Sequence, residues 1–316
     1  MVENRIEQAK KPLKAPPKRR WNGVKRNWDL YLLILPVVIY FLIFKYYPMY
    51  GVQIAFKDFI AAEGIWGSPW VGWEHFIRFF ESFYFERLIG NTIGLSLYNL
   101  VIGFPIPIIL ALLINEIRYK KAKGFVQTVT YAPHFLSTVV VVGMLFLLLS
   151  PNGLVNQILG LLGISEIAFM TSPEWFKTTY VFSDVWQQMG WSSIIYLAAL
   201  AGIDPQLHEA AKIDGASRLR RIWHVNLPGI RSTIIILLIL QTGSIVSVGF
   251  EKVFLMQNQL NMEASDVIAT HIYRTGIAGA QYSYSAAIGL FESAINFFIL
   301  ILVNYTAKKT SQTSLW

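Results

Sequence analysis

The residues with the clearest chemical potential lie together between positions 199 and 230. His208 and Glu209, followed by Lys212, resemble the zinc-protease pattern H-E-x-x-H, in which two histidines one helical turn apart bind the metal. Lysine stands at the second ligand position, and the chain contains no cysteine. This stretch therefore lacks the donor set of a zinc site, and we predict no metal site in the chain.

Other catalytic patterns are missing from the sequence. There is no Gly-Lys dipeptide, so the phosphate-binding pattern G-x-x-x-x-G-K-[ST] does not occur, and G-x-S-x-G does not occur either. We predict no catalytic residue and no cofactor bound by this chain. If the protein uses ATP, a separate polypeptide must hydrolyse it.

Polar and aromatic side chains inside apolar segments are the next candidates, because polar groups are costly in lipid and are often functional there. Gln187 and Trp191 share one helical face at a spacing of i, i+4. Neutral amides and indole faces suit an uncharged, hydroxyl-rich ligand. The alternative is that the amides hydrogen-bond one helix to another. The candidate substrate-pathway residues are Asn99, Trp186, Gln187, Trp191, Tyr196, Gln241, Glu292 and Asn296.

The composition predicts that lipid surrounds the elements that carry these residues. Hydrophobic residues make up 54% of the 316-residue chain and charged residues only 15%, against roughly a quarter charged in soluble domains. A membrane span needs about 20 apolar residues. Six segments qualify, approximately 30–47, 90–114, 129–149, 179–201, 232–250 and 286–305.

Basic residues predict the orientation of these spans. With both termini in the cytoplasm, the inner segments are 1–28, 115–128, 202–231 and 306–316, and they hold 20 of the 27 Lys and Arg residues. The outer loops are instead rich in aromatic residues, which favour membrane interfaces or contact with a sugar or an extracytoplasmic partner. We predict a multi-pass protein of the bacterial cytoplasmic membrane.

The net charge of +8 raises nucleic acid as a possible partner. Nine of the 27 basic residues, however, precede Asp29 in a Pro- and Lys-rich stretch. A cytoplasmic tail beside an anionic membrane explains that distribution, and we predict no nucleic-acid binding. The predicted organisation is a basic tail at 1–28, a membrane domain at 29–306 and a cytoplasmic C-terminus at 307–316.

The cytoplasmic segment 202–231 has the pattern of two short capped helices. Asp204 and Pro205 form a helix-start signal, Gly215 suits a turn, and Ser217 can cap a second helix that ends before Pro228. Both helices are amphipathic. Such a segment either lies on the membrane surface or docks on a partner protein, and the pattern alone leaves both open.

The spacing of this segment resembles the EAA loop of binding-protein-dependent ABC importer permeases. The matching residues are Glu209, Ala210, Ala211, Gly215, Leu227 and Pro228, and Val225 replaces the usual isoleucine. The resemblance implies that the loop, including Asp214, couples the permease to an ATPase. In that reading Glu209 anchors the loop, the two alanines allow close approach, and Gly215 permits the turn.

The flanking sequences VWQQMGWSSIIYLAALAGIDP and GFEKVFLMQNQLNMEASDVIATHIYRTGI look like the LplB type of permease, within the MalF/MalG-like sugar branch. The resemblance implies an all-α polytopic protein with six transmembrane helices and the type I importer permease fold. It also implies a second homologous permease subunit and an extracytoplasmic solute-binding protein. Two ABC ATPase subunits would carry ATP and Mg, and the substrate would be an oligosaccharide derived from complex polysaccharides.

Three alternatives remain at this point. The same machinery could import a different solute, or the chain could be a secondary transporter driven by an ion gradient. Few acidic residues lie in the apolar segments and no internal repeat is apparent, which disfavours a secondary transporter. A membrane enzyme is disfavoured because no nucleophile and base or metal cluster is present in the sequence.

Overall fold

A computed structural model describes residues 27–247 and 249–311, and helices dominate this part of the chain. The predicted basic tail lies outside the described residues except for its last two positions, and so do the last five residues of the C-terminus. The chain divides into two compact units, one ending at Gln53 and one beginning at Ile54.

The described part of the first unit is a long apolar helical stretch, whose last residues continue along the chain past Gln53. Helix α1 spans Trp28–Phe41 and continues through a π-helical turn, Leu42–Tyr46, a short α-helical turn, Tyr47–Met49, and a 3₁₀ stretch, Tyr50–Phe56. From Trp28 to Phe56 it is long and apolar enough to cross a membrane. Its large apolar side chains are exposed along the helix, as expected for a surface that faces lipid.

The second unit contains the remaining helices, joined by short turns. Their bounds are α2 Gly64–Gly67, α3 Glu74–Phe80, α4 Phe85–Gly103, α5 Pro105–Asn115, α6 Lys120–Tyr131, α7 Thr138–Leu148, α8 Leu154–Leu161, α9 Pro173–Ala201, α10 Pro205–Ile213, α11 Arg218–Arg221, α12 Arg231–Thr242, α13 Phe250–Met256, α14 Met262–Ser265, α15 Ile268–Ile272 and α16 Tyr282–Ser311. Shorter helical turns are Ala132–Phe135, Ile222–Asn226, Leu227–Gly229 and Tyr273–Ala278.

Two proline-containing breaks shape the predicted second and third spans. Helices α4 and α5 meet at Phe104, where Pro105 begins the second helix. Together they still form one apolar stretch long enough to span. Helices α6 and α7 instead meet at an angle of 99°, because a 3₁₀ turn containing Pro133 separates them and Ser137 caps α7.

The predicted fifth span, 232–250, is shorter as a helix than expected. Helix α12 ends at Thr242, and α13 begins at Phe250 after an irregular turn. Within the described residues three helical stretches are long and apolar enough to cross a membrane, and up to five if each bent pair counts as one. Helix α9 is not among them, so the count of six spans stays a prediction.

Helix α9 is the central element of the second unit. It is 29 residues long and contributes buried residues along its length, among them Phe176, Val181 and Leu200. It packs against α4 and α5, and Gly190 lets it approach the backbone of α6 at Thr130. Four of the eight predicted pathway residues, Trp186, Gln187, Trp191 and Tyr196, lie on this central helix.

An ion-pair cluster ties the segment after α14 to α4. Asp266 is fully buried, and its carboxylate lies 2.9 Å from the guanidinium of Arg274 and 3.2 Å from that of Arg87. Asn91 on α4 donates to the backbone carbonyl oxygens of Glu263 and Asp266. We call Arg87, Asp266 and Arg274 the Asp266 cluster.

Candidate functional site

The segment from Asp204 to Gly229 has the two-armed form predicted from its sequence. The Asp204 carboxylate accepts a hydrogen bond of 2.9 Å from the backbone N–H of Gln206, and Pro205 opens α10. Gly215 adopts a φ of +72°, a left-handed conformation that favours glycine. The Ser217 hydroxyl accepts from the backbone N–H of Arg220 and caps α11.

The surface of this segment exposes large apolar side chains among charged ones. Neither α10 nor α11 contains a buried residue. The exposed large hydrophobic side chains are Leu207, Ile213, Leu219 and Trp223. Among the predicted coupling residues, Glu209, Ala210, Asp214, Gly215 and Pro228 are exposed, and Ala211 and Leu227 are half-buried. The segment thus presents both the motif and an uncovered apolar surface.

The base of the segment is fixed to the helical core. Ile230 is fully buried in a cluster that includes Leu112 of α5 and Leu200 of α9. A Cβ atom at Gly229 would lie 2.5 Å from the Cδ1 of Ile203, so the chain returning from the segment passes close to the end of α9. Both ends of the segment therefore meet at the same place on the helix bundle.

A cavity of about 550 Å³ opens in the second unit between α4, α5, α9 and α12. Four of the predicted pathway residues line it, namely Asn99, Trp191, Tyr196 and Gln241. Asp184 and Gln188 add polar groups, and Phe104 and Met189 add apolar surface. A smaller cavity of about 160 Å³ shares Asn99 and Gln241 with it.

The other predicted pathway residues on α9 lie away from this cavity. The Gln187 side chain is buried and donates a hydrogen bond of 3.0 Å to the carbonyl oxygen of Leu136, in the break between α6 and α7. Trp186 lines a separate apolar groove with Met144 and Phe182. In this conformation Gln187 holds two helices together, which was the alternative to ligand binding.

Glu292 and Asn296 of α16 contact the irregular turn after α12. The Glu292 carboxylate accepts from the hydroxyl of Ser247 at 2.9 Å, and the Asn296 amide donates to the same hydroxyl at 2.9 Å. The Asn296 carbonyl oxygen accepts from the backbone N–H of Val246 at 3.0 Å. These two residues satisfy backbone and hydroxyl groups that would otherwise be unpaired in an apolar region.

Two contacts made by cavity-lining residues were missing from the predicted site. The imidazole of His134 stacks on the indole of Trp191, with 4.5 Å between ring centroids, and its Nδ1 lies 2.8 Å from the Gln188 side-chain oxygen. Lys252 of α13 forms an ion pair with Asp184. Asp184 could have been found from the sequence, because it is an acidic residue inside a predicted span. Lys252 lies outside the predicted spans, so nothing in the sequence indicated that it is buried.

Comparison with known proteins shows which family the chain resembles. Residues 103–312 match the family described as the binding-protein-dependent transport system inner membrane component. The chain is 48% identical over 288 residues to the polygalacturonan/rhamnogalacturonan transport system permease protein YteP of Bacillus subtilis, covering 91% of this chain and 90% of YteP. It is 46% identical to Protein LplB of the same organism, covering 93% of each chain.

A solved structure has the same fold at high sequence identity. It is a chain of a bacterial ABC transporter involved in the import of the acidic polysaccharide alginate, with a TM-score of 0.86 and 42% identity. The match covers 93% of this chain and all of that chain. A second structure of a bacterial alginate ABC transporter, in complex with an alginate pentasaccharide-bound periplasmic protein, matches with a TM-score of 0.87.

Proposed function

Because the chain belongs to the family of binding-protein-dependent transport system inner membrane components, we propose that it imports oligosaccharides as one half of an ATP-driven permease. It is a membrane-embedded transporter subunit with the type I ABC importer permease fold and not an enzyme. The observation that carries the proposal is the capped segment from Asp204 to Gly229, whose exposed apolar side chains need a partner.

We assign the partner as a separate ABC ATPase, which would bind ATP and Mg. Glu209, Ala210, Ala211, Asp214, Gly215, Leu227 and Pro228 are the proposed coupling residues. On a lipid surface the second arm would bring Arg218, Arg220 and Arg221 to lipid phosphates, but Glu209 and Asp214 on the first arm would face an anionic surface that repels carboxylates. Docking on a protein accommodates acids and apolar side chains together.

We also propose six membrane spans, a membrane domain at 29–306 with its coupling loop at 202–231, and cytoplasmic N- and C-termini. A second permease subunit would complete the translocation pathway, and an extracytoplasmic binding protein would deliver the substrate. Asn99, Trp191, Tyr196 and Gln241 are the proposed pathway residues because they share one cavity. Trp186, Gln187, Glu292 and Asn296 are proposed to shape that cavity through neighbouring helices.

The test is uptake by the purified complex in proteoliposomes with a loaded binding protein. We expect uptake to require ATP and the ATPase subunits. Replacing the exposed apolar residue Leu207 by Asp should release the ATPase from the complex, while Lys212→Gln, an exposed change on the same helix, should not. Uptake that persists without ATP under a proton gradient would instead establish a secondary transporter.

A further inference from the structure

A buried lysine lies directly behind the wall of the cavity of about 550 Å³. Asp184 is the one Asp, Glu, Lys, Arg or His side chain that lines this cavity among the described residues. The ammonium nitrogen of Lys252 lies 3.5 Å from its Oδ1 atom. Lys252 is only 5% exposed. Its ammonium group is therefore separated from the cavity by the Asp184 side chain alone.

The pair is loosely held compared with the Asp266 cluster. Charge-assisted N–H···O bonds are commonly about 2.7–2.9 Å long, and the contact between Lys252 and Asp184 is 3.5 Å. The second contact of the carboxylate, from the Asn99 amide, is 3.4 Å. Asp266 by contrast has two arginine partners at 2.9 and 3.2 Å. The carboxylate of Asp184 therefore sits beside Lys252 without saturating it.

Lys252 has limited support from the rest of the protein. Asp184 is its one ion-pair partner within the described parts of the chain, and the ring of Tyr180 lies 5.5 Å from its nitrogen. An ammonium has three donor hydrogens, and a buried charge with incomplete partners is costly. The site thus has unused capacity for an additional or alternative anion.

A carboxylate on a ligand could accept hydrogen bonds from the unused donors of Lys252. An anion that enters an apolar cavity loses hydration and needs a cation in compensation. The amides of Asn99, Gln188 and Gln241 suit hydroxyl groups, and the indole of Trp191 suits the face of a sugar ring. We propose that Lys252 is a specificity-determining residue that binds the carboxylate of a uronic-acid-containing oligosaccharide in exchange for Asp184.

In this scheme Asp184 is the counter-ion of Lys252 when the cavity is empty of sugar. A sugar carboxylate takes its place beside Lys252, while the Asn99 amide keeps its contact with Asp184. A neutral sugar leaves the original ion pair intact and gains nothing from Lys252. The inference rests on the proposed function, because it names the chemical class of the oligosaccharide.

The experiment compares Lys252→Met, Asp184→Asn and their double variant in the complete complex, reconstituted with its ATPase, partner permease and binding protein. The probes are an oligogalacturonate and the same oligosaccharide with its carboxyl groups methyl-esterified. Lys252→Met should lower uptake of the charged probe at least tenfold and leave uptake of the ester within about threefold. Lys252→Arg keeps the positive charge and should recover part of the uptake of the charged probe that Lys252→Met loses, whereas Asp184→Asn removes the competing carboxylate and should raise the ratio of charged-probe uptake to ester uptake.

The double variant separates recognition from a structural ion pair. If the pair only stabilises the fold, removing both charges together should restore uptake of the charged probe, and that result overturns the inference. If Lys252 binds substrate, the double variant stays defective for the charged probe and normal for the ester. Equal loss of both probes in all variants also overturns it. A wild-type complex that takes up the ester but not the charged probe would overturn the inference alone, whereas a complex that takes up no oligosaccharide in the presence of ATP would refute the proposed function itself.

Discussion

Replacing Asp266 by Asn should destabilise the part of the second unit where α14 and α15 meet α4 by about 3 kcal/mol. At an effective dielectric constant of about 20, each ion pair at 2.9–3.2 Å corresponds to about 5 kcal/mol of Coulomb attraction before desolvation. The side chains of Arg87 and Arg274 are 30% and 38% exposed. Water therefore screens both cations, and the net loss falls at the low end of the range for breaking a buried pair.

The assay is thermal unfolding of the purified complex, together with proteolysis of the segment around α14 and α15. At about 2–4 °C per kcal/mol for a domain of 150–250 residues, a loss of this size should lower the unfolding midpoint by at least about 5 °C. The segment should also become accessible to protease at lower temperature, because its attachment to α4 is lost.

Glu263→Gln is the matched control, since Glu263 is exposed on the helix that ends immediately before Asp266. Its side chain has no ion pair within 4.0 Å in the described structure, and Asn91 uses only its backbone oxygen. The control should leave the midpoint unchanged. An unchanged midpoint in Asp266→Asn as well would refute the reasoning, because it would mean that desolvation cancels the attraction of both arginines.

Three further predictions concern single positions. Gly215→Val should lose ATPase coupling and transport with little change in thermal stability, because a β-branched residue at φ +72° costs about 1–3 kcal/mol locally. Gly215→Asn should retain coupling and transport, since Asn tolerates that conformation. Gly190→Ala should lower the yield of folded protein and the unfolding midpoint, because its Cβ atom would overlap the carbonyl oxygen of Thr130; Gly143→Ala, with open space around it, should not. Burial lowers the pKa of His271 below its ordinary value, against the opposing effect of Asp266, so the unfolded state binds the proton more readily and stability should fall as the pH drops below about 6.5. His271→Gln should flatten that part of the stability profile in a thermal scan from pH 7.5 to 5, and an unchanged slope would contradict the assignment.

Local signals in the sequence were sufficient to predict the helices and turn of the segment from Asp204 to Gly229. Asp204, Pro205, Gly215 and Ser217 each act within a few residues of the chain, and the structure places a helix start, a left-handed turn and a second cap at those positions. Capping and glycine conformation depend on neighbours in sequence. They can therefore be predicted without knowledge of the tertiary fold.

The cavity could be predicted only in part. Composition indicated which segments meet lipid. It did not indicate which polar residues face the cavity of about 550 Å³, and only four of the eight pathway candidates line it. Gln187 and Trp191 are one turn apart on the same helix, yet Gln187 bonds to Leu136 while Trp191 stacks on His134. Which role each side chain takes depends on where the break at Pro133 places Leu136 and His134. The helical spacing of residues within α9 does not contain that information. The pairing of Asp184 with Lys252 is likewise a tertiary contact between residues 68 positions apart.

The attachment of the segment from Asp204 to Gly229 explains how a movement of this segment would reach the cavity. Helix α9 ends at Ala201, and Asp204 already caps the first arm of the segment. The second arm returns beside Ile203 at Gly229 and enters the core at Ile230. Since both ends are held against α9, the segment cannot tilt far without moving that helix, and packed helices shift as rigid bodies. Asp184 lies on the same helix, so if an ATPase docks on this segment as proposed, a displacement of α9 would change the distance between Asp184 and Lys252.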